Sequence, residues 1–186
     1  MTKVAILASH NGSGFDALYK AKEILNIDIN LIISNNTDSN VLKKAKERKI
    51  DNFIINGKLF DNPDQKIYDT LKQYGCKYIF LSGYMKKISP FITKDFKLLN
   101  SHPALLPKYG GAGMYGRFVH EAVIKNSEKQ SGVTIHEVNE NYDEGKIILQ
   151  KSLILDENES VDSLEKKIKE LEGKAIVEAF KKILTS

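Results

Sequence analysis

Short apolar runs recur through the first hundred residues, most of them followed by a segment with helical spacing, and few architectures accommodate that order. Lys3 to Ser9 carries five consecutive apolar residues, Val4 to Ala8, the pattern of a strand covered on both faces. The loop "HNGSG" follows, then helical periodicity from Phe15 to Leu25. "INLIIS", "NFIIN", "YIFLSG" and "KLLNSH" read as four further strands, with helices over Val41 to Lys49 and Asp64 to Tyr74 between them. Strands alternating with helices require crossover connections, which are right-handed and build a parallel sheet with helices on both faces.

The rhythm changes after "KLLNSH". "GGAGMYG" is glycine-rich, Arg117 to Asn126 is helical, and "SGVTIHEV" and "KIILQKSLIL" are strand-like runs joined by "NENYDEG". A closing helix over Val161 to Leu184 has Ser160 or Asp162 as its N-cap. The expected fold is α/β: an open, mostly parallel Rossmann-like sheet with an antiparallel strand pair near the C-terminus. With 186 residues and neither a repeat nor a linker, the chain is expected to form a single domain, 1–186.

Composition removes several function classes. The 41% hydrophobic and 28% charged content is too apolar for disorder. The formal charge of +4 comes almost wholly from lysine, Arg48 and Arg117 being the only arginines. Lysines such as Lys43, Lys44, Lys46, Lys166, Lys167 and Lys169 fall among glutamates at helical spacing, which describes a solvated face rather than a nucleic-acid stripe. Val4 to Ala8 is too short for a signal h-region or a membrane span. Cys76, the only cysteine, cannot form an internal disulfide, so a cytoplasmic protein is expected.

In open parallel sheets ligands bind beyond the carboxyl ends of strands, and three features fall at such ends: "HNGSG", "SGYMKKIS" and "NSHP". The first matches a loosened G-x-G-x-x-A pattern from Gly12, but the second strand ends in Ser34-Asn35-Asn36 with no acid until Asp38, where a dinucleotide ribose needs one near the strand end. What remains is a strand–glycine loop–helix junction that suits a phosphate or serves only as a tight turn. In "NSHPALLP", Asn100 and His102 share one strand face, and Pro103 holds His102 extended. Asp143, in the turn "NENYDEG", is the best-placed carboxylate to favour the imidazolium of His102. A packing histidine and a solvent-facing hairpin acid are the alternatives for this pair. His136, inside a strand, and His120, on a helix, are expected to be structural or exposed. His10, His102, His120 and His136 lack zinc spacing, so no metal site is expected. The set contains amide, imidazole and carboxylate but no nucleophile, which suits direct attack of an amine on a carbonyl carried by a second bound molecule.

"NSHPALLP" resembles the N-x-H-P-S-L-L-P segment of folate-dependent formyltransferases. "GVTIHEVNENYDEGKIILQ" resembles the signature that carries the aspartate of that family, and "NGSG" is similar to the phosphate loop of its purine-pathway branch. The likeness runs from Lys3 to about Leu184. It implies a formyltransferase fold and transfer of a formyl group from 10-formyltetrahydrofolate, a co-substrate rather than a permanent cofactor, to the glycinamide amine of a ribonucleotide. It also implies a catalytic trio of Asn100, His102 and Asp143, with Gly12, Ser13, Gly14 and Glu172 on the ribonucleotide. Folate would meet Gln65, Met85, Lys86, Lys87, Ile88, Asn100, Asn139, Glu140, Asn141, Tyr142 and Asp143. Departures are Gly14 where the loop usually has Asn, Gln65 and Lys86 where Arg is common, and Glu137 where an apolar residue is usual. Sugar-nucleotide and methionyl-tRNA formyltransferases are the alternatives within the family, and a non-catalytic mononucleotide-binding module outside it. The tRNA enzyme resembles a longer protein, whereas this chain ends at Ser186 without a basic extension. Small-molecule partners are expected, with no nucleic acid and no membrane, in a monomer or homodimer.

Overall fold

A computed structural model describes residues 1–186. Its elements, in chain order, are β1 (Thr2–Leu7), α1 (Ser13–Leu25), β2 (Ile27–Ser34), α2 (Asn40–Glu47), β3 (Asn52–Ile54), α3 (Pro63–Tyr74), β4 (Tyr78–Leu81), α4 (Pro90–Asp95), β5 (Lys97–His102), α5 (Arg117–Lys125), β6 (Gln130–Glu137), β7 (Ile147–Ile154) and α6 (Val161–Leu184). The seven strands form a mixed sheet in the order β3-β2-β1-β4-β5-β6-β7. By contacts the chain divides into two compact units, Met1–Leu99 and Asn100–Ser186.

In the first unit β1 pairs parallel with β2 and β4, and β2 with β3. Val4 to Leu7 and Ile79 to Phe80 are fully buried, which is why these strands read as unbroken apolar runs. Phe15 and Leu18 fill the buried face of α1. The start of α2 braces the glycine loop: Asn40 Nδ2 donates to Asn11 Oδ1 at 2.8 Å, and Lys44 Nζ to the Asn11 carbonyl at 2.9 Å. α3 opens with Pro63 at its first position behind Asn62, whose Oδ1 accepts from the Gln65 N–H, an ordinary cap arrangement. α4 has no counterpart among the expected helices; at six residues it is too short to show helical periodicity.

In the second unit β6 and β7 pair antiparallel from Gln130–Ile154 to His136–Ile147, with a register shift between Ile135 and His136. Ser160, rather than Asp162, caps α6: its side chain accepts from the Ser163 N–H. α6 buries Leu164, Ile168, Ala175, Ile176, Ala179 and Phe180 at helical spacing. No helix is long and apolar enough to cross a membrane.

Candidate active site

β5 carries Asn100 and His102 out to its carboxyl end, in the second unit. His102 is 3% exposed, and both of its ring nitrogens face acceptors. Nε2 lies 2.6 Å from the Tyr109 carbonyl and Nδ1 3.5 Å from Asp143 Oδ2. Asp143 is held from a third side by the Gly111 N–H, which donates to Oδ2 at 2.9 Å. Its other oxygen lies 3.4 Å from His136 Nε2. That same nitrogen is 3.3 Å from Asn100 Nδ2. The result is one connected cluster of Asn100, His136, Asp143 and His102.

His136 is the member that the sequence reading left outside. It is 2% exposed and shares a face of β6 with Thr134, also buried. Its Nδ1 donates to the Glu137 carbonyl at 2.8 Å, which turns Nε2 toward both the Asn100 amide and the Asp143 carboxylate. The available signal was alternation along β6, which sets His136 and Thr134 on one side; spacing rules tuned to metals and triads did not weigh it.

Two glycine positions make the cluster close. Asp143 adopts a left-handed backbone, φ +57°, which Asp tolerates better than most residues. Two residues on, a Cβ at Gly145 would lie 1.7 Å from the Glu137 carbonyl oxygen, so no side chain fits there. On the opposite side a Cβ at Gly110 would come 2.5 Å from Leu106 Cδ2 and 3.3 Å from Asp143 Cβ. The 105–106 segment is pinned in turn: Leu106 N–H donates to Thr134 Oγ1, and Gln150 Nε2 to the Leu106 carbonyl.

The electrostatics are a contest between burial and pairing. Burial pushes the His102 pKa below its ordinary 6.5; Asp143 and the Tyr109 carbonyl pull it upward without restoring it, and His136 adds to the depression. For Asp143 burial works upward, yet His136, His102 and the Gly111 N–H outweigh it and hold the carboxyl below 3.8. The cluster thus holds a firm carboxylate against an imidazole poised on the neutral side. Beside it, Ser101 Oγ donates to Glu172 Oε1 at 2.6 Å, and desolvation raises the Glu172 pKa.

The remaining expected contacts divide by unit. Asn139, Glu140, Asn141 and Tyr142 belong with Asp143 to the β6–β7 turn; Asn139 Oδ1 accepts from the Asn141 N–H at 2.9 Å, and Tyr142 is 53% exposed. In the first unit Gly12 takes φ +63° at the head of α1, and a Cβ there would come 2.6 Å from Val41 Cγ2. Ser13 and Gly14 open the helix; Ser82 Oγ accepts from the Phe15 N–H at 3.3 Å. Met85 N–H donates to Ser9 Oγ at 2.8 Å, Ile88 is a core side chain, and Lys86 and Lys87 line a cavity of about 720 Å³. Gln65 Nε2 is engaged with Asp69 at 2.9 Å. Cys76 is inert: burial pushes its thiol up to about 12.

Residues 2–180 match the formyl transferase family model, and the chain belongs to that family. Its relatives define the branch. The chain is 31% identical over 191 residues to phosphoribosylglycinamide formyltransferase of Bacillus subtilis, covering 99% of this chain and 95% of that protein. It is 33% identical over 184 residues to the chloroplastic phosphoribosylglycinamide formyltransferase of Arabidopsis thaliana, spanning 95% of this chain but 63% of that longer protein. The crystal structure of phosphoribosylglycinamide formyltransferase from Bacillus halodurans superposes with a TM-score of 0.90 at 26% identity, over 100% of this chain and 96% of that one.

Proposed function

We propose that this chain transfers a formyl group from 10-formyltetrahydrofolate to the amine of N1-(5-phospho-D-ribosyl)glycinamide, releasing the N2-formyl product and tetrahydrofolate in purine biosynthesis. The observation that carries the reading is the buried Asn100–His136–Asp143–His102 cluster, in a chain whose relatives bear that activity in their names. The family match spans residues from both units, which supports treating 1–186 as one formyltransferase domain.

In this reading the amine nitrogen attacks the formyl carbon, and the carbonyl oxygen becomes an oxyanion. The Asn100 amide donates to it as charge develops. Asp143 favours the tautomer of His102 with a proton on Nδ1, which leaves Nε2 as the base for the amine proton. Burial suits that task by keeping the ring neutral at the outset, and the imidazolium that forms is paired with Asp143 at once. Collapse breaks the bond from the formyl carbon to N10 of the folate, and the proton passes to N10 through His102 or a water. For Nε2 to act, the Tyr109 carbonyl now at 2.6 Å must turn away, so substrate binding displaces the Tyr109–Gly111 segment.

Gly12, Ser13 and Gly14 are assigned to the ribonucleotide phosphate, and Glu172 to its ribose. Met85, Lys86, Lys87, Ile88, Gln65 and the 139–143 turn are assigned to the folate. The exposed side chains of Met85, Lys86, Lys87 and Tyr142 support contact through side chains, while the buried Ile88 supports contact only through its backbone. The co-substrate leaves each cycle, so no permanent cofactor is assigned. A cytoplasmic monomer or homodimer acting on small molecules, without nucleic acid, completes the reading. A spectrophotometric assay with a 10-formyl folate analogue tests it, offering glycinamide ribonucleotide, a sugar-nucleotide amine and methionyl-tRNA as acceptors. Transfer to glycinamide ribonucleotide alone is expected; transfer to another acceptor in its place, or to none, overturns the assignment.

A further inference from the structure

The cavity of about 720 Å³ is lined wholly by residues of the first unit, from the loops that follow β1, β2, β3 and β4. Its volume lies within the range of about 300–1,000 Å³ usual for small-molecule sites. Most of its asparagines are spent on the loops themselves. Asn36 Nδ2 donates to the Ser9 carbonyl at 2.6 Å, Asn56 Nδ2 to the Asn35 carbonyl at 2.9 Å, and Asn56 Oδ1 accepts from the Lys58 and Leu59 N–H groups.

Ser39 is different. It stands at the N-cap of α2, in extended geometry suited to capping, yet its side chain makes no cap hydrogen bond. It lines the cavity, is only 4% exposed, and its Oγ is buried without a hydrogen-bond partner. A buried hydroxyl left unpaired is destabilising, so an uncapped serine beside the positive end of a helix calls for an external acceptor. The Val41 and Leu42 N–H groups are already bonded, to the His10 and Ser39 carbonyls, which leaves the hydroxyl and the first-turn amide as donors. Lys58, Lys86 and Lys87 line the same cavity against Asp38 and Asp64, and Asp64 already accepts from the Ser89 hydroxyl. Exposed Asp38, in the loop after β2, lines the cavity with a carboxylate that can accept from a sugar hydroxyl. Ile55, Pro63 and Tyr84 supply the less polar wall, and burial raises the Tyr84 phenol to about 12, so it remains a donor.

We propose that this cleft is a second ligand site that takes a sugar phosphomonoester, with the phosphate at the start of α2 against Ser39 and Lys58 and a sugar hydroxyl on Asp38. It goes beyond the formyl-transfer reading. Lys86 and Lys87 are shared with the folate assignment, so the test is placed on Ser39 and Lys58.

The test follows backbone amide shifts of the whole chain by NMR, without folate or formyl acceptor, during titration with inorganic phosphate, ribose 5-phosphate, adenosine 5′-monophosphate and glutarate. Saturable shifts at Ser39, Asn40 and Lys58 are expected with the three phosphates. Tighter binding of the nucleotide than of ribose 5-phosphate identifies a nucleoside phosphate as the occupant, and equal binding a simple sugar phosphate. Ser39→Ala removes no cap bond, so it should fold, and it should weaken binding by about tenfold, the loss of one hydrogen bond to a charged group. Lys58→Gln should weaken it as well, and serves if the first variant fails to fold. Shifts confined to Gly12–Gly14, glutarate binding as well as phosphate, or affinity unchanged in both variants would overturn the proposal. Because no formyl chemistry is involved, that failure would leave the transferase reading standing, and failure of the transfer assay would leave this one standing.

Discussion

Asp143 and His102 share one electrostatic problem. The imidazole is too deeply buried to hold a proton as readily as a free histidine, and the carboxylate is the largest influence opposing that burial. Removing the carboxylate while keeping its shape should therefore move His102 further down. In Asp143→Asn the NMR titration midpoint of the His102 ring is expected to fall relative to the wild type; an unchanged or higher midpoint would show that the carboxylate does not set the state of the ring. The same shifts give stability a signed pH dependence. The folded pKa of His102 lies below 6.5, and that of His120 is also lowered by burial. Below about pH 6.5 the unfolded chain therefore takes up protons that the native state refuses, and stability falls on acidification through that window. Asp143, depressed below 3.8, adds stability above that pH and loses it only as the pH drops through its own lower value.

At the scale of elements, the site depends on how tightly the β6–β7 connection turns. The chain passes Glu137 so closely that Gly145 has no room for a methyl group, and the Glu137 N–H meanwhile donates to the Lys146 carbonyl at 2.8 Å. Gly145→Ala must displace that backbone. It is expected to lower the thermal midpoint, at a cost of about 1–3 kcal/mol for forced overpacking, and to reduce turnover by moving Asp143; calorimetry with steady-state rates checks both, and a variant with wild-type values for each would contradict the packing argument. Most elements were legible in the sequence because their burial is uniform along each run. β1 is buried from Val4 to Leu7 and β4 throughout, and α6 runs over the span that its apolar spacing sets. α4 was not legible. Six residues after Ser89-Pro90 carry too little pattern to separate a helical turn from a loop.

At the scale of the whole chain, the candidate centre was legible where its residues sit in extended motifs and illegible where it depends on a tertiary meeting. Asn100, His102 and Asp143 stand in two long segments whose composition is unusual enough to notice. His136 stands in one of them as well, yet its place beside both Asn100 and Asp143 follows from the pairing of β6 and the return of the turn, which no local spacing encodes. The contact from the Tyr109 carbonyl to His102 belongs to the same class: it arises from a left-handed Tyr109 backbone, φ +58°, leading into Gly110 and Gly111.

The proposed chemistry requires the residue 102 side chain to act on the reacting atoms rather than merely to help hold a substrate. The direct measurement is a steady-state comparison of His102→Ala with the wild type, using glycinamide ribonucleotide and a 10-formyl folate. A fall in kcat of at least about a hundredfold, with KM for both substrates within a few-fold of the wild type, is the result expected for loss of a general base. A rise in KM with kcat preserved would make this histidine a binding or packing residue and place the chemistry elsewhere.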